Sequence, residues 1–187
     1  MIILPRTFYS KDTVTVAKNL LGKKIVRKIG RKEISGIITE TEAYRHKDDP
    51  ASHAFRNITE RNKVMFGEVG KAYVYFTYGM HYCFNIVARN SKFEAGAVLI
   101  RAITPEKGIE IMEKNRGIKD SKKLTDGPAK LTQALGITRK HYGLDLTINS
   151  ELFITEGIKI SNKIISSPRI GIKNATDRLW NFKTGTQ

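Results

Sequence analysis

The chain has 187 residues, enough for one well-buried core and short for two. Hydrophobic residues make up 40% and charged residues 27%, a balance that sets aside disorder beyond the tails, and no apolar run approaches membrane-spanning length. Lys and Arg number 33 against 18 Asp and Glu, a net charge of +15, which favours a polyanionic partner, although a well-solvated basic surface accounts for it equally.

Cys83 is the only cysteine, so no intramolecular disulfide forms and a reducing compartment is expected. MIILP is followed too soon by Arg6 to read as a signal peptide. SKDTVTVAKNLLG (10–22) predicts a helix capped by Ser10 or Asp12, with Val14, Ala17 and Leu21 on one face and Gly22 ending it. KKIVRK and EISGIITETEAY predict two strands joined by a turn at Ile29-Gly30-Arg31-Lys32. Residues 45–64 lack a period and read as a long loop with one helical turn at most; long ordered loops are often functional.

KAYVYFTYGMHYCFNIVA (71–88) predicts a buried hairpin turning near Tyr78-Gly79-Met80-His81, and AGAVLIRAI a further buried strand. Pro105 and Pro128 each read as the first residue of a helix. From Leu146 to Thr184, β-like pieces (LFITE, IKIS, RIGIK) alternate with Gly, Asn and Ser turns. With no repeat or linker, the order of elements predicts one compact α+β domain over 1–187: a mixed, mainly antiparallel sheet with a protruding hairpin and peripheral helices.

One Cys and four dispersed histidines give no metal-ligand spacing, so neither a metal nor a cofactor is expected. That leaves carboxylate and imidazole chemistry. On a regular strand Ile38, Glu40, Glu42 and Tyr44 share one face. A carboxylate there is either a partly desolvated base that activates water or half of a salt bridge to one of the many cations. Tyr73, Tyr75, Tyr78 and Tyr82 serve as hairpin packing, or a tyrosine at the turn acts as a wedge into stacked bases. His53, Asn85 and Arg101 each admit a structural and a substrate-facing role.

Taken together, ITETEAYRHKDDPASHA, RNKVMF, AYVYFTYGMHYCFNIV, AVLIRAI and DGPAKLTQALGI resemble the alkyladenine (3-methyladenine) DNA glycosylase family, in order and nearly end to end. The similarity runs from FYSKDTVTVAKNLLGKKIVRK to SPRIGIKNATDRLWNF. It implies an enzyme that binds duplex DNA from the minor groove, extrudes an alkylated or deaminated purine and hydrolyses its N-glycosidic bond. By the resemblance Glu42 matches the general base, Arg101 the arginine that helps hold nucleotide and water, and Tyr44, His53 and Tyr75 the walls around the flipped base. Asn85 matches the residue that disfavours normal guanine, and Tyr78 the intercalating residue. Glu40 is expected only to partner a cation.

The resemblance further implies a monofunctional, monomeric enzyme without cofactor or membrane association, cytoplasmic and nucleoid-associated in a prokaryote or nuclear in a eukaryote. Three departures stand out. LWNFK carries Asn181 where many relatives have a cation, residues Lys107 to Thr125 follow the family loosely, and the hairpin tip varies around His81. The alternative is a non-catalytic damaged-DNA or RNA-binding module of the same fold, whose signature would be loss of Glu42 or of the pocket residues.

Overall fold

The computed structural model describes residues 2–161 and 163–184. A short turn of helix, α1 (Arg6–Tyr9), leads into α2 (Thr13–Leu20). The cap of α2 is Asp12, whose carboxylate accepts from the backbone N–H groups of Val14 (3.0 Å) and Thr15 (3.4 Å). Its fully buried residues are Thr13, Val16, Ala17 and Leu20; of the expected face Ala17 is among them, Leu21 is buried just past the helix end, and Val14 is half-buried against the core.

Eight strands form one sheet: β1 (Lys24–Ile29), β2 (Lys32–Arg45), β3 (Ala72–Thr77), β4 (His81–Val87), β5 (Gly96–Lys107), β6 (Leu152–Thr155), β7 (Ile164–Ser167) and β8 (Asn181–Thr184). The order is β3-β4-β5-β2-β1-β6. β2 is long enough to hold two partners on one side, β1 along its first half and β8 along Glu40–Glu42. All pairings among the described residues are antiparallel, so the expected mixed sheet resolves to an antiparallel one. With α3 (Ile109–Arg116) and α4 (Pro128–Leu135) at the periphery, the architecture is α+β.

Strand alternation sorts the two faces of the sheet. Ala72, Val74, Phe84, Ile86, Val98 and Ile100 enter the main core with α2 and α4, while Tyr73, Val87 and Ala97 turn to the opposite face under the loop 46–62. That second face carries a smaller cluster with Ala54 and Met65, the latter on a 3-10 turn at Lys63–Phe66.

Two bulges interrupt the β2–β5 ladder where this alternation matters most. Ile38 pairs with Ile103, Glu40 with Ala102 and Thr41 with Ile100, so Thr39 is the extra residue on β2 and Arg101 the extra residue on β5. The offsets cancel, and each strand changes phase. Ile38 is therefore in the main core, as Thr41 and Ala43 are on the far side of the bulge; the Thr41 hydroxyl donates to the Ala17 carbonyl at 2.8 Å. The expectation that Ile38 shares a face with the two acids fails for this reason. Glu40, Glu42 and Tyr44 do share one, with Arg101 between the acids.

Other boundaries moved. Pro105 does not open a helix: it lies in β5 opposite Gly36, beside a register shift where its missing N–H costs no ladder bond. α3 begins after Gly108, which supplies the left-handed turn (φ 70°) between strand and helix. Pro128 does open α4, and Gly136 closes it. IKIS and RIGIK are not strands; the ladder in that region is β7 with β8.

Candidate active site

The pocket-facing side of the sheet is built from alternate residues. Glu42 pairs with Leu99, Leu99 with Asn85 and Asn85 with Tyr73, so one cross-strand row runs from β2 to β3. Tyr75 stands opposite Cys83 in the neighbouring row. The loop 46–62 brings His53 and Arg61 over these strands, and residues 170–174 close the side nearest β2. The result is a pocket of about 380 Å³ whose walls include Tyr44, His53, Tyr75, Asn85 and Arg101, with Tyr78 at its rim. This volume and aromatic lining suit a single planar ring.

Glu42 is fully buried just behind the wall. Oε1 accepts from the Ile170 backbone N–H at 2.8 Å and the Asn181 amide at 3.0 Å; Oε2 accepts from the Tyr44 hydroxyl at 2.8 Å and Arg101 Nη1 at 3.3 Å. Four donors match the acceptor capacity of one carboxylate. Three of those partners, Tyr44, Arg101 and Ile170, line the pocket. Burial, then the Glu42 carboxylate, pushes the Tyr44 phenol well above the usual tyrosine range, so it remains a donor.

Glu40 occupies the adjoining position. One oxygen accepts from Arg101 Nε at 3.0 Å and the Asn181 amide at 2.7 Å, with Lys183 Nζ at 3.3 Å. The bulge at Arg101 thus lets one guanidinium bind both acids, and Asn181 repeats the bridge from β8 as a neutral donor. At position 181 the chain thus has an amide that satisfies two carboxylates.

The remaining predicted residues divide between wall and rim. His53 Nδ1 lies 2.9 Å from the Tyr73 hydroxyl, and its ring meets Tyr75 edge-on at 4.7 Å. Burial and, second, the charge of Arg61 push the imidazole down to about 4. One face of His53 remains open to the pocket, so solvent screens part of this effect until something covers it. Burial, then Cys83, raises the Tyr75 phenol. Asn85 is buried, its amide donating to the Tyr73 carbonyl at 3.1 Å. Tyr78 stands apart at the hairpin tip, 85% exposed and in a left-handed conformation (φ 52°), flanked by exposed Phe76 and Met80.

Sequence reading did not single out the support behind Tyr44. Arg169 and Asp49 are both fully buried in a bidentate pair, with two contacts of 2.6 Å, and Arg169 Nη1 also donates to the Ala43 carbonyl at 2.8 Å. The guanidinium lies 4.6 Å from the Tyr44 ring and 5.2 Å from the Trp180 ring. The pair ties the loop after β2 to the segment before β8, and the next residue, Ile170, delivers its N–H to Glu42. No local pattern announces it: Asp49 and Arg169 are 120 residues apart.

A buried carboxylate–arginine cluster beside an aromatic pocket, on a basic protein, has groups suited to acid–base chemistry and room for a flat ring. The family model described as methylpurine-DNA glycosylase (MPG) matches residues 7–187. The chain is 50% identical over 182 residues to a protein of Carboxydothermus hydrogenoformans, covering 97% of this chain and 94% of that one. It is 47% identical over 175 residues to one of Chlorobaculum tepidum (92% and 83% covered) and 46% over 181 residues to one of a Wolbachia of Brugia malayi (97% and 96%). All three relatives are provisionally named 3-methyladenine DNA glycosylase. The chain belongs to the methylpurine-DNA glycosylase family, DNA-repair enzymes that hydrolyse N-glycosyl bonds.

Proposed function

We propose that the protein acts as a monomer on duplex DNA, extrudes a damaged purine nucleotide into the pocket and hydrolyses its N-glycosidic bond with a water activated by Glu42. The substrates are 3-methyladenine, 7-methylguanine and deaminated or bridged purines such as hypoxanthine and ethenoadenine. The single observation that carries the reading is the setting of Glu42: fully buried, oriented by four donors, and joined to the pocket through Tyr44 and Arg101. A carboxylate used only as a surface ion-pair partner needs no such enclosure.

The weakest of its four contacts is the one to Arg101, at 3.3 Å, and Arg101 lines the pocket. The attacking water enters there, held between Oε2 and the guanidinium. Its oxygen bonds to the sugar C1′ while Glu42 takes its proton, and the C1′–N9 electron pair leaves with the purine. The transition state resembles an oxocarbenium ion, so the carboxylate stabilises positive charge as well as accepting a proton. The extruded base stacks on Tyr44, whose ring is already in contact with Arg169, and is enclosed by His53 and Tyr75. Tyr78 fills the gap in the DNA stack, and the net charge of +15 supplies salt-sensitive affinity for phosphate. An alkylated purine is cationic and leaves readily, whereas a neutral one needs a hydrogen bond or proton from the pocket.

The test is single-turnover release of free base from duplexes holding one hypoxanthine or one 7-methylguanine. Wild-type protein is expected to release base, and Glu42→Gln, which keeps the shape of the side chain, to bind the same duplexes and release almost none. Near-full release by Glu42→Gln would remove Glu42 from the mechanism. Tight lesion binding without release by wild type would favour the non-catalytic module.

A further inference from the structure

Arg61 has no part in the chemistry above, yet its side chain forms part of the pocket wall. Its guanidinium carbon lies 4.9 Å from the centroid of the Tyr75 ring, and Tyr75 in turn meets His53 edge-on at 4.7 Å. Next to that ring the Tyr73 hydroxyl oxygen lies 2.9 Å from His53 Nδ1. When the Tyr73 hydroxyl donates its proton to Nδ1, a neutral His53 carries its hydrogen on Nε2. One cation therefore lies against the pocket through a ring that also packs on the imidazole.

We propose that Arg61 is a specificity-determining residue that biases this pocket towards neutral purine lesions offering a hydrogen-bond acceptor, such as hypoxanthine, over cationic N-alkylated purines. Aromatic walls on their own attract a cationic base. Here a cation already lies against the Tyr75 ring, and a second positive charge brought into the pocket comes within a screening length of it. Burial and, second, Arg61 favour the neutral form of His53, which in the tautomer that accepts from Tyr73 offers Nε2–H to a neutral base. A cationic lesion gains less from that donor and is repelled by Arg61. The inference rests on the glycosylase reading and narrows its substrate class.

The experiment compares wild type, Arg61→Met and Arg61→Lys in single-turnover release from hypoxanthine and 7-methylguanine duplexes of identical flanking sequence. Arg61→Met retains length and apolar contact but removes the charge. The ratio of hypoxanthine to 7-methylguanine rates is expected to fall about tenfold in Arg61→Met, the scale of one like-charge contact at intermediate dielectric, and to recover in large part in Arg61→Lys. A residue that only grips phosphate would slow both substrates alike, and an unchanged ratio would overturn this inference while leaving the glycosylase reading intact. Release of neither base by wild type would overturn both.

Discussion

Removing the Arg169 guanidinium should loosen the aromatic pocket and the fold together. In Arg169→Met the Asp49 carboxylate stays buried and keeps two backbone donors, Arg45 N–H and Ala51 N–H, each at 3.2 Å, but loses two charged contacts of 2.6 Å. Breaking a buried pair from one side costs about 3–5 kcal/mol, and the two surviving donors put this case at about 3 kcal/mol. For a chain of this size that corresponds to a fall in Tm of about 6–12 °C. The double variant Arg169→Met/Asp49→Asn no longer buries an unpaired charge and should recover part of the loss, read by thermal unfolding and a double-mutant cycle. Base release should fall in Arg169→Met well below the melting range, because Tyr44 loses the cation against its ring and Ile170 loses its anchor beside Glu42. A Tm within about 2 °C of wild type, or additive losses in the double variant, would refute the reasoning.

Asn181→Leu removes the amide that bridges Glu40 (2.7 Å) and Glu42 (3.0 Å), and should lower stability by about 1–3 kcal/mol and slow single-turnover release, measured by denaturant titration and base release. Tyr78→Ser changes an exposed tip residue, so stability should move by less than about 0.5 kcal/mol while affinity for lesion duplex drops; equal affinity of variant and wild type would count against the wedge. His53 is a base whose folded pKa, about 4, lies below its ordinary 6.5, so the unfolded chain binds more protons between those values. Its contribution is present at neutral pH and lost as pH falls from about 6.5 towards 4, and His53→Gln should flatten stability against pH across that window.

The hairpin and the carboxylate-bearing strand were legible as sequence because local patterns encode them. Apolar and aromatic residues on both faces of AYVYFT and HYCFNIV, with a turn at Tyr78-Gly79-Met80 between them, mark β3 and β4, and Pro128 with Gly136 brackets α4. The seven candidate residues were legible only through the resemblance. Composition gave positive charge, and pattern alone left Glu42 a salt bridge or a base. The structure makes it both an ion-pair partner of Arg101 and the centre of a buried donor cluster.

What the sequence by itself determined is a mainly antiparallel framework, the aromatic character of one face and the presence of an acid on it, since strand period, turn residues and side-chain type are local properties. Tertiary structure decided which acids meet which cations. Whether Ile38 joins Glu42 or the core depends on a bulge at Thr39, and that bulge exists because β5 answers it with Arg101 two strand positions away. The Arg169–Asp49 pair, the Asn181 bridge and the Arg61–Tyr75 contact join residues 120, 139 and 14 positions apart, distances over which no hydrophobic period carries information. Only the closing of the loop 46–62 over the sheet, packed on the smaller cluster of Ala54, Met65 and Tyr73, and of the segment 169–174 beside it brings them to one pocket.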